Sequence, residues 1–276
     1  MACETSRTLT ISQVAEKTGV NPVTLRAWQR RYGLLSPART AKGHRLYSDD
    51  DVDTITRILQ WLDKGVSISK VKPLLVQTPA TVDVEDNGVA RELIECIHTF
   101  SVKRLKQTLE QIFKEYPFYW LAEHVMTPVD QWLSHHDGAV SMLQRDLWQT
   151  TVIEQCRSVI TANAKRNTRS RCWLVSLNPT SEYQRVLMAV ALYEKGYNVT
   201  TLSQPHSQLS LILKVMREQQ VNTLAVMANH RLDRTQLNQL RLCLSQNEIE
   251  VVSQAFIYSV HGDELKDLRE NNTLCI

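Results

Sequence analysis

The chain has 276 residues, with 43% hydrophobic and 22% charged side chains, ordinary proportions for a folded protein of two or three small domains. It holds no apolar run of 18 residues, and its first ten residues, MACETSRTLT, lack an apolar core; neither a membrane span nor a secretory signal is expected, and the cytoplasm is the expected compartment. The net charge of +3 conceals an asymmetry, because residues 1–78 hold twelve Lys/Arg against seven Asp/Glu, a net of +5 that leaves −2 for the rest; a polyanion is expected at the N-terminal part alone.

Thr10-Ile11-Ser12 leads into a first helix over Gln13–Thr18, with Ser12 as its N-cap and Val14 and Ala15 turned inward. After the turn Gly19-Val20-Asn21 a second helix runs from Val23 to Tyr32. Asn21 suits its N-cap, Pro22 its first position and Gly33 its left-handed C′. This helix carries Arg26, Arg30 and Arg31 beside Val23, Leu25 and Trp28. Helix, turn and short basic helix predict a helix-turn-helix laid against phosphate. Arg39 to Tyr47 reads as a two-stranded wing with Lys42-Gly43 near its tip. Ser48 then caps a helix that opens on Asp49, Asp50 and Asp51, where negative charge suits the helix dipole.

The run from Leu9 to Leu75 resembles the winged-helix DNA-binding domain of MerR-type transcription regulators. The resemblance lies in Ile11-x-x-Val14-Ala15, Thr24-Leu25-Arg26-x-Trp28, Tyr32-Gly33-Leu34-Leu35 and Arg39-x-x-x-Gly43-His44-Arg45-Leu46-Tyr47 followed by Asp50-Asp51-Val52. Trp28, a Tyr in common MerR proteins, points to the branch holding MlrA-like regulators and cobalamin-binding photoreceptors of the CarH/LitR kind. The resemblance implies that Thr24, Arg26 and Trp28 lie on the recognition helix, with Arg30 and Arg31 at its end. It implies that Arg39, Lys42, His44, Arg45 and Tyr47 form the wing. Arg26 would contact phosphate or base, Trp28 would brace the helix or touch the DNA backbone, and Arg45 would reach the minor groove or its phosphates.

Further along, Asp49–Asp63 is a helix with Val52, Ile55, Ile58, Leu59 and Leu62 on one face. Ser67 caps a short helix over Ile68–Val76, and the polar stretch 78–88 is a linker. No heptad run follows, so the long coiled coil of a typical MerR dimer is not expected. Helices over Val89–Thr99, Val102–Glu115, Phe118–Ser134 (kinked or broken at Pro128) and Ser141–Ala164 predict a four-helix bundle in residues 89–168. Asn167–Arg171 is a basic joint. From Cys172 the pattern alternates: strands over 172–177, 197–202, 221–227 and 249–253, with helices over 182–195, 209–219 and 235–246. That predicts a parallel α/β sheet in residues 169–276; the tail from His261 is left without a prediction. The fold class expected is thus multi-domain: a winged helix-turn-helix over 1–77, the bundle, and a Rossmann-like (flavodoxin-like) α/β domain.

Bundle followed by α/β domain resembles the cobalamin-binding module of the CarH/LitR branch and of methionine synthase. That module uses W-x9-EH in the bundle and (E/D)-x-H-x-x-G after the first strand, whose His ligates cobalt. Here the second aligns with Glu182 to Leu187, so Gln184 replaces the His and Leu187 the Gly. A Gln offers no imidazole nitrogen, and a Leu fills space the Gly keeps open. In the bundle, Glu123-His124 has Phe113 rather than Trp upstream; counting from Trp132 gives Met142-Leu143, and aligning Val125 to Pro128 gives Arg145-Asp146. No cobalamin or other cofactor is expected, and Glu123-His124 reads as surface or capping residues.

The six cysteines form no CxxC and no zinc spacing, so reduced, mostly buried thiols and no metal are expected. His135-His136-Asp137 reads as an inter-helix loop, and Trp120, Trp132 and Trp148 as bundle core. Ser203 to Ser207 reads as a polar loop after a strand, with ligand contact as the other reading. No nucleophile, phosphate loop or acid–base pair stands out, so an enzyme is not expected. The resemblance implies a transcription regulator, an activator that distorts promoter spacer DNA as a homodimer beside RNA polymerase. The alternative is a sensor repressor responding to cobalamin, another small molecule or a protein effector through the C-terminal module.

Overall fold

The structure is a computed structural model that describes residues 8–75, 88–164, 171–206, 208–244, 249–261, 264–265 and 273–274. Residues 1–151 and 152–276 form two compact units.

In the first unit, strand β1 (Leu9–Thr10) precedes α1 (Ile11–Thr18). The cap of α1 is Thr10, not Ser12: the Gln13 amide donates to Thr10 Oγ1 at 3.4 Å, and the Thr10 amide donates back to Gln13 Oε1 at 2.8 Å. The Thr/Gln pair closes a capping box two residues earlier than the apolar period alone suggests. Helix α2 (Pro22–Ala27) is capped by Asn21 and continues into a π turn, Trp28–Tyr32, ended by Gly33 at φ 58°. The wing strands β2 (Ala38–Arg39) and β3 (Arg45–Tyr47) pair antiparallel, and β1 adds to the other edge of β3. Helix α3 (Asp49–Asp63) begins with the Ser48–Asp51 capping box and buries Val52, Ile55, Ile58, Trp61 and Leu62. Each such side chain contributes about 1.5–3 kcal/mol. Helix α4 covers Ile68–Leu74, and Ser67 makes no side-chain cap bond to it.

The linker expected over 78–88 lies outside the described residues except for Gly88, which opens α5 (Gly88–His98). Helix α6 (Val102–Glu115) buries Leu105, Leu109 and Ile112. The stretch 118–134 does not break at Pro128. It runs as α7 (Phe118–Leu121), a π turn (Ala122–Met126) and α8 (Thr127–Ser134). The widened turn, in which the Thr127 amide and hydroxyl both donate to the Ala122 carbonyl, gives room for a proline ring that would clash in an α-turn. Helix α9 (Ala139–Ala164) packs Trp148, whose Nε1 donates to Asp130 Oδ1 at 2.8 Å.

The second unit carries a parallel sheet. Its strands are β4 (Arg171–Ser176), β5 (Asn198–Pro205), β6 (Thr223–Met227), β7 (Glu250–Gln254) and β8 (Thr273–Leu274), in spatial order β5-β4-β6-β7-β8. Of the joint Asn167–Arg171, only Arg171 is described, as the first residue of β4. Helix α10 (Glu182–Glu194) covers one face, where Met188, Leu192 and Tyr193 meet Leu174, Ala225 and Val252. Helices α11 (Leu209–Glu218) and α12 (Arg234–Leu244) cover the other, over Val175, Leu224 and Val251. Past β7 comes α13 (Ala255–His261), whose Ile257 joins that second core. This helix, just before the tail from His261, and the edge strand β8 within that tail were not revealed by the sequence pattern. Strand β5 extends through Ser203–Pro205, and the His206 amide donates to the Ser176 carbonyl at 2.8 Å. Those residues are sheet edge rather than loop; Ser207 lies outside the described residues.

Candidate nucleic-acid interface

The recognition helix has two faces. On one, Thr24 and Trp28 are buried, Trp28 completely, and the indole Nε1 donates to the Glu115 carbonyl at 2.7 Å. Arg31 lies on the same face, with Nη1 on Glu115 Oε1 at 2.5 Å. Burial, together with a hydrogen bond to the Glu115 carboxylate, raises the Tyr32 phenol far above its ordinary range. On the other face, Arg26 and Gln29 are half-buried and Arg30 is exposed. Thr24, Trp28 and Arg31, expected at DNA, are therefore turned to the protein interior or to Glu115. A Trp with no exposed surface cannot touch a DNA backbone without leaving its site.

The wing stands beside that second face. The Arg45 Nε donates to Gln29 Oε1 at 2.6 Å, which fixes wing to helix. Gln29 was not singled out from sequence; its position three residues after Arg26 was the available signal. Arg39 lies directly opposite Arg45 across the β2–β3 ladder, a like-charge pair that destabilises a sheet unless an anion lies between or over it. At the tip the Thr40 amide donates to the His44 carbonyl at 2.9 Å, and Gly43 takes φ 82°. This conformation favours glycine and leaves Lys42 and His44 exposed. Tyr47, also expected at DNA, is buried, with no hydrogen-bond partner for its hydroxyl. Burial raises its phenol, against the lowering influence of Arg45 and Arg26. The structure thus brings Arg26, Arg30, Arg39, Lys42, His44 and Arg45 to one solvent-facing set with Gln29, buries Thr24, Trp28 and Tyr47 away from it, and leaves Arg31 exposed but paired with Glu115.

In the second unit the strand order places the topological switch point at the C-terminal ends of β4 and β6, where such sheets bind ligands. Side-chain amides fill it. The Asn229 amide nitrogen donates to Asn178 Oδ1 at 2.8 Å, Asn178 Nδ2 donates to the His230 carbonyl at 2.9 Å, and Asn229 Nδ2 donates to Gln184 Oε1 at 2.6 Å. Gln184 is also the third residue of the capping box that Ser181 opens on α10. Leu187 is buried one turn further on, and Glu182 pairs with Arg157. These residues do not fit a His-ligated cobalamin: the position lacks an imidazole, its amide is committed, and the space beside it is filled.

The remaining polar clusters are local. His135 and His136 each place Nδ1 on a carbonyl of the last turn of α8, at 2.6 and 2.7 Å. Glu123 is exposed, but His124 is half-buried and stacks on Trp120 at 4.8 Å. Trp120 and Trp148 are buried and Trp132 is half-buried against His136. Cys96, Cys156, Cys172 and Cys243 are buried free thiols, and burial pushes Cys156 and Cys172 up to about 12. Among the described residues no group of three or more His, Cys, Asp or Glu could hold a metal ion, and no helix is long and apolar enough to cross a membrane.

A helix-turn-helix braced by a basic wing defines a DNA-binding transcription regulator, and the sequence pattern of the MerR HTH family regulatory protein matches residues 9–78. The HTH-type transcriptional regulator MlrA of Escherichia coli (strain K12) is 32% identical over 202 residues, covering 72% of this chain and 82% of that protein. The HTH-type transcriptional repressor CarH of Myxococcus xanthus is 28% identical over 218 residues, covering 72% of this chain and 71% of CarH. A solved cobalamin-binding protein from Desulfitobacterium hafniense DCB-2 shares 9% identity, with a TM-score of 0.34 over 70% of this chain and 93% of that one; a likeness at that level bears no weight. The chain belongs to the MerR family of HTH-type transcription regulators, in the branch of MlrA.

Proposed function

We propose that the chain reads double-stranded promoter DNA with Arg26, Arg30, Arg39, Lys42, His44 and Arg45, seated by Gln29. The observation that carries this reading is the single basic face, above all the Arg39–Arg45 pair held opposite one another across the wing. Such a pair is stabilised by a phosphate laid over it. The helix would occupy the major groove and the wing the flanking backbone or minor groove. The protein would act in the cytoplasm as a homodimer on a pseudo-palindrome, activating by distorting spacer DNA for RNA polymerase. Domain limits of 1–77, 89–168 and 169–276, with 78–88 as linker, accompany this reading. Genome-wide mapping of bound sites tests it, with two-fold symmetric half-sites in promoters as the expected result. Sites without symmetry, or none above background, would sink it.

A second reading is a sensor repressor that takes a small-molecule or protein effector at the α/β unit. The relative CarH, a repressor by name, favours it. The committed Gln184 and the buried Leu187 argue against cobalamin as that effector. A catalytic role has no support in the site, and the relatives are transcription regulators.

A further inference from the structure

Three helix ends in the winged-helix part finish on one short segment of the bundle, residues 115–120. The indole of Trp28 and the guanidinium of Arg31, in the last turn of the recognition helix, reach the carbonyl and carboxylate of Glu115. Trp120 Nε1 donates to the Leu62 carbonyl in the last turn of α3 at 2.9 Å. The Ile68 amide, first in α4, donates to the Tyr116 hydroxyl at 3.2 Å. Helix ends leave amides and carbonyls without intrahelical partners. Here Ser67 caps no amide of α4, its hydroxyl pairing with that of Ser69, and Tyr116 takes the place of that cap. Tyr116 and Trp120 stack at 4.4 Å, so the segment is packed ring on ring.

Glu115 is the most constrained member. Its side chain is 4% exposed and receives Arg31 and, at 3.4 Å, Gln111 Nε2. A buried carboxylate is stable only when paired and hydrogen-bonded. The turn it holds is π-wound, a rare winding that appears mostly as single turns, often at functional sites. Arg26 and Arg30, on the opposite face, take their direction from the helix that this turn completes.

We propose that Glu115 is a positioning residue for DNA recognition: through its carboxylate and carbonyl the bundle sets the last turn of the recognition helix, and with it the aim of Arg26 and Arg30. The Glu115–Arg31 pair lies on the Trp28 side of the helix, opposite Arg26 and Arg30, with Arg31 half-exposed there, so it removes no cation from the proposed DNA side. Glu115 therefore changes affinity without changing the number of phosphates contacted. This inference rests on the winged helix being the DNA-binding element.

The test uses the full chain and a labelled duplex enriched from a random library by the wild-type protein. Glu115→Ala is expected to weaken binding about tenfold, the scale of a lost charge-assisted hydrogen bond, with the salt slope unchanged. Glu115→Gln, which keeps the acceptor, is expected to recover most of the loss. Arg31→Ala should also weaken binding, and the double variant should lose less than the sum of the two single losses, because the two changes share the Glu115–Arg31 contact. Leu93→Ala, a cavity in α5 away from the recognition helix, should bind within about twofold of wild type well below its melting temperature. Arg26→Ala, run in parallel, separates the two readings. A loss there with none in Glu115→Ala overturns the positioning role alone; no loss in either overturns both. Tighter binding by Glu115→Ala with a steeper salt slope would also overturn it, since Glu115 would then be competing with phosphate. A loss in Leu93→Ala as large as in Glu115→Ala would reduce the effect to general destabilisation and overturn it as well.

Discussion

Replacing Trp28 by Ala removes a side chain with no exposed surface and one hydrogen bond to the Glu115 carbonyl. Large-to-small changes of a buried Trp cost about 3–5 kcal/mol, the spread reflecting how far the site collapses. The Glu115 carbonyl ends α6 and loses its Trp28 donor, at a cost of about 1–3 kcal/mol. Trp28→Phe separates the two terms, because it keeps most of the ring and removes only the donor. For a unit of this size each kcal/mol lowers the melting temperature by about 2–4 °C. Trp28→Ala should thus melt about 6–20 °C lower, and Trp28→Phe about 2–12 °C lower. Thermal unfolding of the full chain followed by circular dichroism measures both, with Met142→Ala, at 68% exposure, as the surface control. If Trp28→Ala melts within about 2 °C of wild type, the indole is not held in the junction and the reasoning fails.

Arg45→Ala should lower the slope of log affinity against log salt by about 1, since one phosphate contact is lost; unchanged affinity and slope would remove the wing from the interface. Adenosylcobalamin titrated in the dark should leave the visible spectrum of the cofactor unaltered and separate from the protein on gel filtration, whereas a stoichiometric shift that survives the column would restore the sensor reading. Sedimentation of the full chain should show a dimer without a coiled coil, because two half-sites related by a two-fold axis need a self-complementary surface; a monomer at micromolar concentration that still binds a symmetric duplex with full affinity would contradict it.

What was legible in the sequence was local. The Ser48–Asp51 box and the period of Val52, Ile55, Ile58 and Leu62 mark α3 from end to end. Gly43 between Lys42 and His44 marks the wing tip, and the alternation after Cys172 marks the parallel sheet. What was not legible depends on partners far along the chain. Trp28 on a basic helix suits a DNA backbone or a core equally well, and only Glu115, 87 residues away, decides for the core. The same holds for Gln184, whose amide is fixed by Asn229, 45 residues on. The π turns at Trp28–Tyr32 and Ala122–Met126 break the 3.6-residue period by one residue each, a shift that hydrophobic patterning does not resolve in segments so short.

The junction changes how a truncation near residue 78 should be interpreted. Cutting there removes Glu115, Tyr116 and Trp120 together. The Leu62 carbonyl and Ile68 amide lose the partners that met them from the bundle, and Trp28 is exposed. Weak operator binding by such a fragment would then have two sources, the loss of a second linked half-site and the loosening of the recognition helix itself. The first is an avidity effect and vanishes when half-site and full-site affinities are compared in the same protein. The second lowers half-site affinity directly. Substitutions in the full chain would keep these apart: a change at Glu115 is expected to alter half-site affinity without altering the oligomeric state, while a change that splits a dimer is expected to leave half-site affinity intact. The winged helix of this chain is accordingly a reader whose last turn is completed by the bundle behind it. A signal that moved the end of α6 would have a direct mechanical route, through two parallel hydrogen bonds from Glu115, to the helix that carries Arg26 and Arg30.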